Sequence, residues 1–203
     1  MNQTRTAESK RQALVEAAFR TLAEKGFDNT RLADIARTAG VAPSLLSYYF
    51  SHKDDLLLEA TRYSIDGFYT EQVEAMQQAA DPMRRLEIAV GCAIPSGPDD
   101  PAWIVLYEFW TKAIHNSALR SLADLIHSRT QALFVQVIDE GCVSGRFRPV
   151  SSPATIAQTV ISMIDGLTLQ VVLRYRNMDG AAVERIAVEY LHQALGINGG
   201  VER

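Results

Sequence analysis

Apolar residues along this chain recur three and four positions apart almost everywhere, and strand-like alternation is nearly absent. The pattern predicts an all-α protein of about nine helices. The first runs from about Ala7 to Lys25, with Leu14, Ala17, Ala18 and Leu22 as its stripe. Gly26 stops it and Phe27 folds back onto the core. Thr30 is the expected N-cap of the second helix, whose inward face is Leu32, Ile35, Ala36 and Ala39, ended by Gly40. Pro43 opens a third helix only about two turns long, with Leu45, Leu46, Tyr49 and Phe50 turned inward. A helix that short is not stable alone and must be held by its neighbours. Ser51 is read as the cap of the fourth helix, in a capping box with Asp54.

From Lys53 the helical pattern continues without a breaker to about Ala80, so no linker separates the amino-terminal part from the rest. Asp81-Pro82, Asp100-Pro101 and Ser152-Pro153 each place a capping side chain before proline. They start helices near 82–95, 101–115 and 153–176. Asn116 or Ser117 opens another, to about Glu140, and Asp179 opens the last, to about Leu195. The tail from Gly196 to Arg203 is expected to fray. These signals divide the chain into a helix-turn-helix head, 1–52, and a helical body, 53–203.

The net charge of −4 over 203 residues argues against an anionic partner until the chain is split. Residues 1–53 hold eight Lys or Arg against five acids, a balance of +3, which leaves −7 for the remainder. An acidic body behind a basic head is compatible with local phosphate contact. Cys92 and Cys142 are far apart without metal-type spacing, the first residues lack a signal-peptide core, and no apolar run reads as a membrane span. A cytoplasmic protein with no membrane partner is the expectation. His52, His115, His127 and His192 are scattered, with no metal pair and no nucleophile motif, so no catalytic residue, metal or cofactor is assigned.

The major groove of double-stranded DNA is the groove a clamped two-turn helix fits. The head also resembles the TetR family of one-component transcriptional repressors. The resemblance lies in Gly26-Phe27, Thr30, Ile35-Ala36, Ala39-Gly40-Val41, Tyr49-Phe50, Lys53 and Leu56-Leu57 at their fixed spacing. Within that family, Leu45 to Phe50 and Leu57 to Thr61 are similar to the branch of choline-responsive repressors of betaine synthesis. Ala42, Ser44 and Ser47 depart from the family pattern, in which a hydroxyl, a glycine and a tyrosine are usual.

The resemblance implies phosphate contact by Thr30 and Arg31 at the second helix's N-terminus, by Tyr48 and by Lys53. Tyr49 is the more inward tyrosine of the pair. Base edges fall to Pro43, Ser44, Leu45, Ser47 and Tyr48, a set with no Arg, Asn or Gln for a bidentate contact. Discrimination then leans on thymine methyls and DNA shape, or on Arg31 and Arg37 from the preceding helix. Arg5, Lys10 and Arg11 are read as a flexible basic arm.

The resemblance also implies an effector cavity in the body. Trp103, Tyr107, Trp110 and Ile114 form one aromatic-rich face, suited to a hydrophobic or cationic small molecule. Tyr69, Glu108 and His115 are further candidates. The last two helices carry more apolar surface than one core needs, which points to a homodimer sealed through Ile156, Val160, Met163, Gly166, Leu167, Val183, Ile186 and Tyr190. The expectation is therefore a ligand-controlled regulator bound as a homodimer to a palindromic operator. Its rivals are a dimeric helical adaptor without DNA binding and a small-molecule enzyme.

Overall fold

A computed structural model describes residues 2–197, with side chains from Glu8 onward. Among the described residues there are nine helices and no strand. They are α1 (Asn2–Lys25), α2 (Leu32–Ala39), α3 (Pro43–Tyr49), α4 (Lys53–Gln77), α5 (Pro82–Cys92), α6 (Pro101–Ala113), α7 (Ser117–Val143), α8 (Pro153–Val172) and α9 (Gly180–Ala194). The first begins five residues before the expected Ala7, and α4 stops three short of Ala80.

The chain divides into two compact units. One is Met1–Gly67 with Pro101–Asp124; the other is Phe68–Asp100 with Leu125–Arg203. The first thus contains the expected 1–52 head and adds the first part of α4, all of α6 and the start of α7. Its core gathers Leu14, Leu22, Phe27, Ile35, Leu46, Phe50, Leu56 and Leu57, all buried. In it α2 packs on α1 and α3, and α6 packs on α1. In the second unit Leu86, Phe134, Val137, Ile138, Val160, Ile164 and Leu191 make one apolar cluster, with α9 packed on α5 and α8.

Most caps follow the local sequence. Asp81 accepts the Arg84 amide, Ser152 the Thr155 amide, Asp179 the Ala182 amide and Asn116 the amides of Ala118 and Leu119. Two do not. Arg31, not Thr30, precedes α2, and the Asp34 carboxylate accepts the Arg31 N–H at 3.0 Å. Before α4 the reciprocal bond runs one residue later than the Ser51–Asp54 box, from His52 N–H to Asp55. Gly40 closes α2 at φ +68°, and the Val41 amide reaches back to the Ala36 carbonyl. α8 is long and apolar enough to cross a membrane by length and composition, contrary to the reading of the sequence. Its Ile156, Ala157, Val160, Ile161, Ile164 and Val171 are nevertheless buried within the protein.

Candidate nucleic-acid interface and effector site

α3 is a seven-residue helix anchored by one side chain. Leu46 is fully buried and Phe50, just past the helix, nearly so, while Pro43, Ser44, Ser47 and Tyr48 face outward. Leu45 and Tyr49 are half-buried. Tyr48 is 82% exposed and meets Tyr49 edge-on, ring centroids 5.3 Å apart, so the outer ring is braced by the inner one. Ala42 gives α3 no side-chain cap, and Ser47 donates its hydroxyl to the Pro43 carbonyl at 3.3 Å.

The expected phosphate ligands divide into those that face outward and those already engaged. Arg31 is exposed. Arg37 is exposed too, with its guanidinium paired to Asp34. Lys25 binds the same carboxylate at 2.9 Å; that bond above all, with the Arg31 amide, holds the Asp34 carboxyl below the ordinary carboxylate range. Thr30 is only 2% exposed, and its hydroxyl donates to the Gly26 carbonyl at 2.7 Å. It ties off the end of α1 and cannot meet a phosphate from there. Lys53 donates to the Phe27 carbonyl and lies over the Phe27 ring, 4.2 Å from its centroid. Burial pushes its ammonium below the usual lysine value. Arg11 is no free arm: it pairs with Glu59 at 2.9 Å and covers the Phe50 ring. The side chain of Arg5 lies outside the described residues.

On α6, Trp103, Tyr107 and Trp110 form a continuous stack. The first two centroids are 5.8 Å apart, and Tyr107 meets Trp110 edge-on at 5.2 Å. Trp103 is buried, whereas Tyr107 and Trp110 are half-buried. Ile114 is exposed beyond the helix end, and His115 is exposed in the turn before α7. Tyr69 belongs to the other unit, where the Arg129 guanidinium covers its ring at 4.2 Å. A groove of about 660 Å³ along α7, lined by Ala132, Val135, Gln136, Asp139, Glu140, Val143 and Ser144, includes none of these aromatics.

Glu108 does not face that stack. Its carboxylate accepts the Phe27 amide at 2.5 Å. Burial pushes the carboxyl up, against the pull of that amide and of Lys112 and Lys53, while Asp28 adds to the rise. One helical turn on, Lys112 pairs with Asp28 at 2.6 Å and lies 4.8 Å from the Phe27 centroid. The ring is therefore approached by two ammonium groups, and the turn carrying it is bound to α6 through backbone and side chain. Lys112, Asp28 and Phe27 carried no mark as functional residues in the sequence. Only the four-residue spacing of Glu108 and Lys112 placed them on one helix face.

The expected dimer residues are split as well. Ile156, Val160 and Val183 are buried inside the chain's own core and present nothing to a partner. Met163, Leu167, Ile186 and Tyr190 are half-buried and Gly166 is exposed. Helical periodicity identifies a covered face, not the molecule that covers it.

The family model for bacterial regulatory proteins of the tetR family matches residues 14–60, and that for the BetI-type transcriptional repressor C-terminal domain matches residues 82–196. The HTH-type transcriptional regulator BetI of Agrobacterium fabrum is 29% identical over 92% of this chain and 88% of its own length. Its counterpart from Rhizobium meliloti is 27% identical over 94% and 91%. Among solved structures, a transcriptional regulator from Saccharomonospora viridis in complex with choline superposes with a TM-score of 0.84 at 28% identity, covering 92% of this chain and 96% of that one.

Proposed function

This chain belongs to the TetR family of transcriptional regulators, with a BetI-type repressor C-terminal domain, and on that premise we propose that it acts as a homodimer on a two-fold operator, switched by a small quaternary ammonium compound of the choline type. Its class is that of ligand-responsive DNA-binding regulators, not of enzymes. The observation that carries the DNA-binding part is Leu46: one buried anchor holds a two-turn helix whose Pro43, Ser44, Ser47 and Tyr48 all face outward. Residues 1–52 are the reading head and 53–203 the effector and dimer body.

Two such heads related by a two-fold axis enter successive major grooves roughly 34–36 Å apart. Arg31 and Tyr48 supply phosphate contacts, while Pro43, Ser44 and Leu45 meet base edges. The dimer face is the exposed side of α8, where Ser162, Gly166 and Leu169 recur at helical spacing, with Leu173 exposed just past the helix end. An added Cβ at Gly166 would meet nothing within 4 Å, so nothing in the chain itself requires glycine there. Close approach of a second α8 is the physical use for it.

The effector reading is supported by the Trp103–Tyr107–Trp110 stack, because aromatic faces attract a cation that cannot donate hydrogen bonds. The solved relative that holds choline agrees with that chemistry. Footprinting on the DNA upstream of the gene locates the operator. Choline chloride is then titrated into the protein by calorimetry and into the complex by anisotropy. The expected result is a change of operator Kd of about 5- to 150-fold. No heat and no change up to about 10 mM choline, beside trimethyllysine and betaine controls, removes the effector assignment; affinity that scarcely falls with salt removes the phosphate contacts.

A further inference from the structure

We infer that Glu108 is a positioning residue for DNA binding: by holding the Gly26–Asp28 turn it couples α6 to the reading helix α3. The inference rests on the reading of α3 as the DNA-facing helix.

α6 has two working faces. One carries Trp103, Tyr107 and Trp110 in contact with one another; the other carries Glu108 and Lys112, one turn apart. The second face holds the α1–α2 turn at three points. Glu108 takes the Phe27 amide, Lys112 takes the Asp28 carboxylate, and Lys112 also covers the Phe27 ring. Gly26 is shaped for this contact: a Cβ there would lie 2.7 Å from the Glu108 Oε1, and its φ of +74° already disfavours a side chain. From the turn the path is short. Thr30 ties its hydroxyl to the Gly26 carbonyl, α2 starts at Leu32, and α2 packs directly on α3. Lys53, at the start of α4, donates to the carbonyl of the same Phe27. A small rotation of α6 about its axis therefore moves the turn that sets α2, α3 and the Lys53 ammonium together. A half-buried carboxylate on a backbone amide suits this task, since a charge-assisted bond is directional and strong.

The test uses the full-length protein, the operator found by footprinting, and Glu108→Gln, which keeps the size and one acceptor but removes the charge. Three readouts separate positioning from bracing. Exchange of the Phe27 amide rises tenfold or more. Operator Kd without effector moves at least fivefold, with the slope of log Kd against log salt unchanged. The ratio of Kd with and without choline chloride falls toward one. Lys112→Met gives the same pattern, and the double variant is less than additive, as residues of one unit are.

Faster exchange with operator Kd and ratio at parental values makes Glu108 a brace and overturns the inference. So does a salt slope altered by about one, because the carboxylate would then act on DNA through its field. If the parent protein binds no DNA, the reading of α3 has failed. If the parent binds DNA but ignores choline, the effector assignment has failed, and exchange with effector-free Kd still decides Glu108.

Discussion

Gly26 and Glu108 stand in close contact: a Cβ added at Gly26 would sit 2.7 Å from the Glu108 carboxylate oxygen, so that side chain would have to shift. The carboxylate is held there by the neighbouring Phe27 amide, 2.5 Å away. Position 26 is also left-handed, at φ +74°. Both facts penalise Gly26→Ala, the backbone by about 1–2 kcal/mol and the displaced part-buried bond by about 1–3 kcal/mol. The expected loss is about 2–5 kcal/mol in urea unfolding. A loss under about 0.5 kcal/mol contradicts the contact.

Tyr48 is exposed, with its ring edge-on to Tyr49, so removing its outward hydroxyl leaves the core intact. Tyr48→Phe is expected to leave stability within about 0.5 kcal/mol. Operator affinity should fall by about 1 kcal/mol, roughly fivefold, from one lost hydrogen bond to phosphate. Unchanged binding by anisotropy rules out the hydroxyl contact.

Leu46 is the opposite case, completely buried beneath α3. Leu46→Ala leaves a cavity costing about 2–5 kcal/mol. Because this side chain seats α3, the proposed reading helix, operator binding is expected to be lost before global unfolding. Calorimetric unfolding and anisotropy on one sample separate the two effects.

The Asp165 carboxyl on α8 has a pKa of about 6, pushed up by burial with His127 pulling back. Relative to an unfolded aspartate near 3.8, the folded chain holds this proton more tightly. Its contribution to stability is therefore fully present below about pH 4 and is lost as pH rises through about 6. Above that, the buried charge costs about 3 kcal/mol relative to the acid form. Asp165→Asn is expected to exceed the parent by about 1–3 kcal/mol at pH 8 and to lose that advantage near pH 4. Urea unfolding at the two pH values checks it; an advantage that grows on acidification refutes it.

At Gly166, alanine has open space within the chain. Gly166→Ala is expected to strengthen α8 by up to about 1 kcal/mol while weakening self-association. Sedimentation equilibrium reads the second effect. A variant that dimerises as tightly as the parent excludes Gly166 from the two-fold contact, and a parent that stays monomeric at micromolar concentration excludes the dimer.

Much of the fold was legible because helices are written locally. The caps at Asp81, Asn116, Ser152 and Asp179 each lie within three residues of the amide they satisfy, and each forms as read. The outward set on α3 was legible for the same reason: a two-turn helix with a single buried anchor leaves little choice of face. Thr30 was misread because the same hydroxyl can cap forward or tie backward, and only the position of the Gly26 carbonyl decides between them.

Sequence alone determined the helical elements and the outward face of α3, because periodicity, proline, glycine and capping side chains act over one or two turns. Tertiary structure decided what each face meets. Glu108 and Phe27 are 81 residues apart, and no local pattern connects them. Ile156, Val160 and Val183 read as surplus apolar surface until the packing of α8 on α9 put them inside one chain. The physical reason is common to both cases: an apolar stripe or a charge states that a partner is required, while the partner's identity is set by where distant segments come to rest.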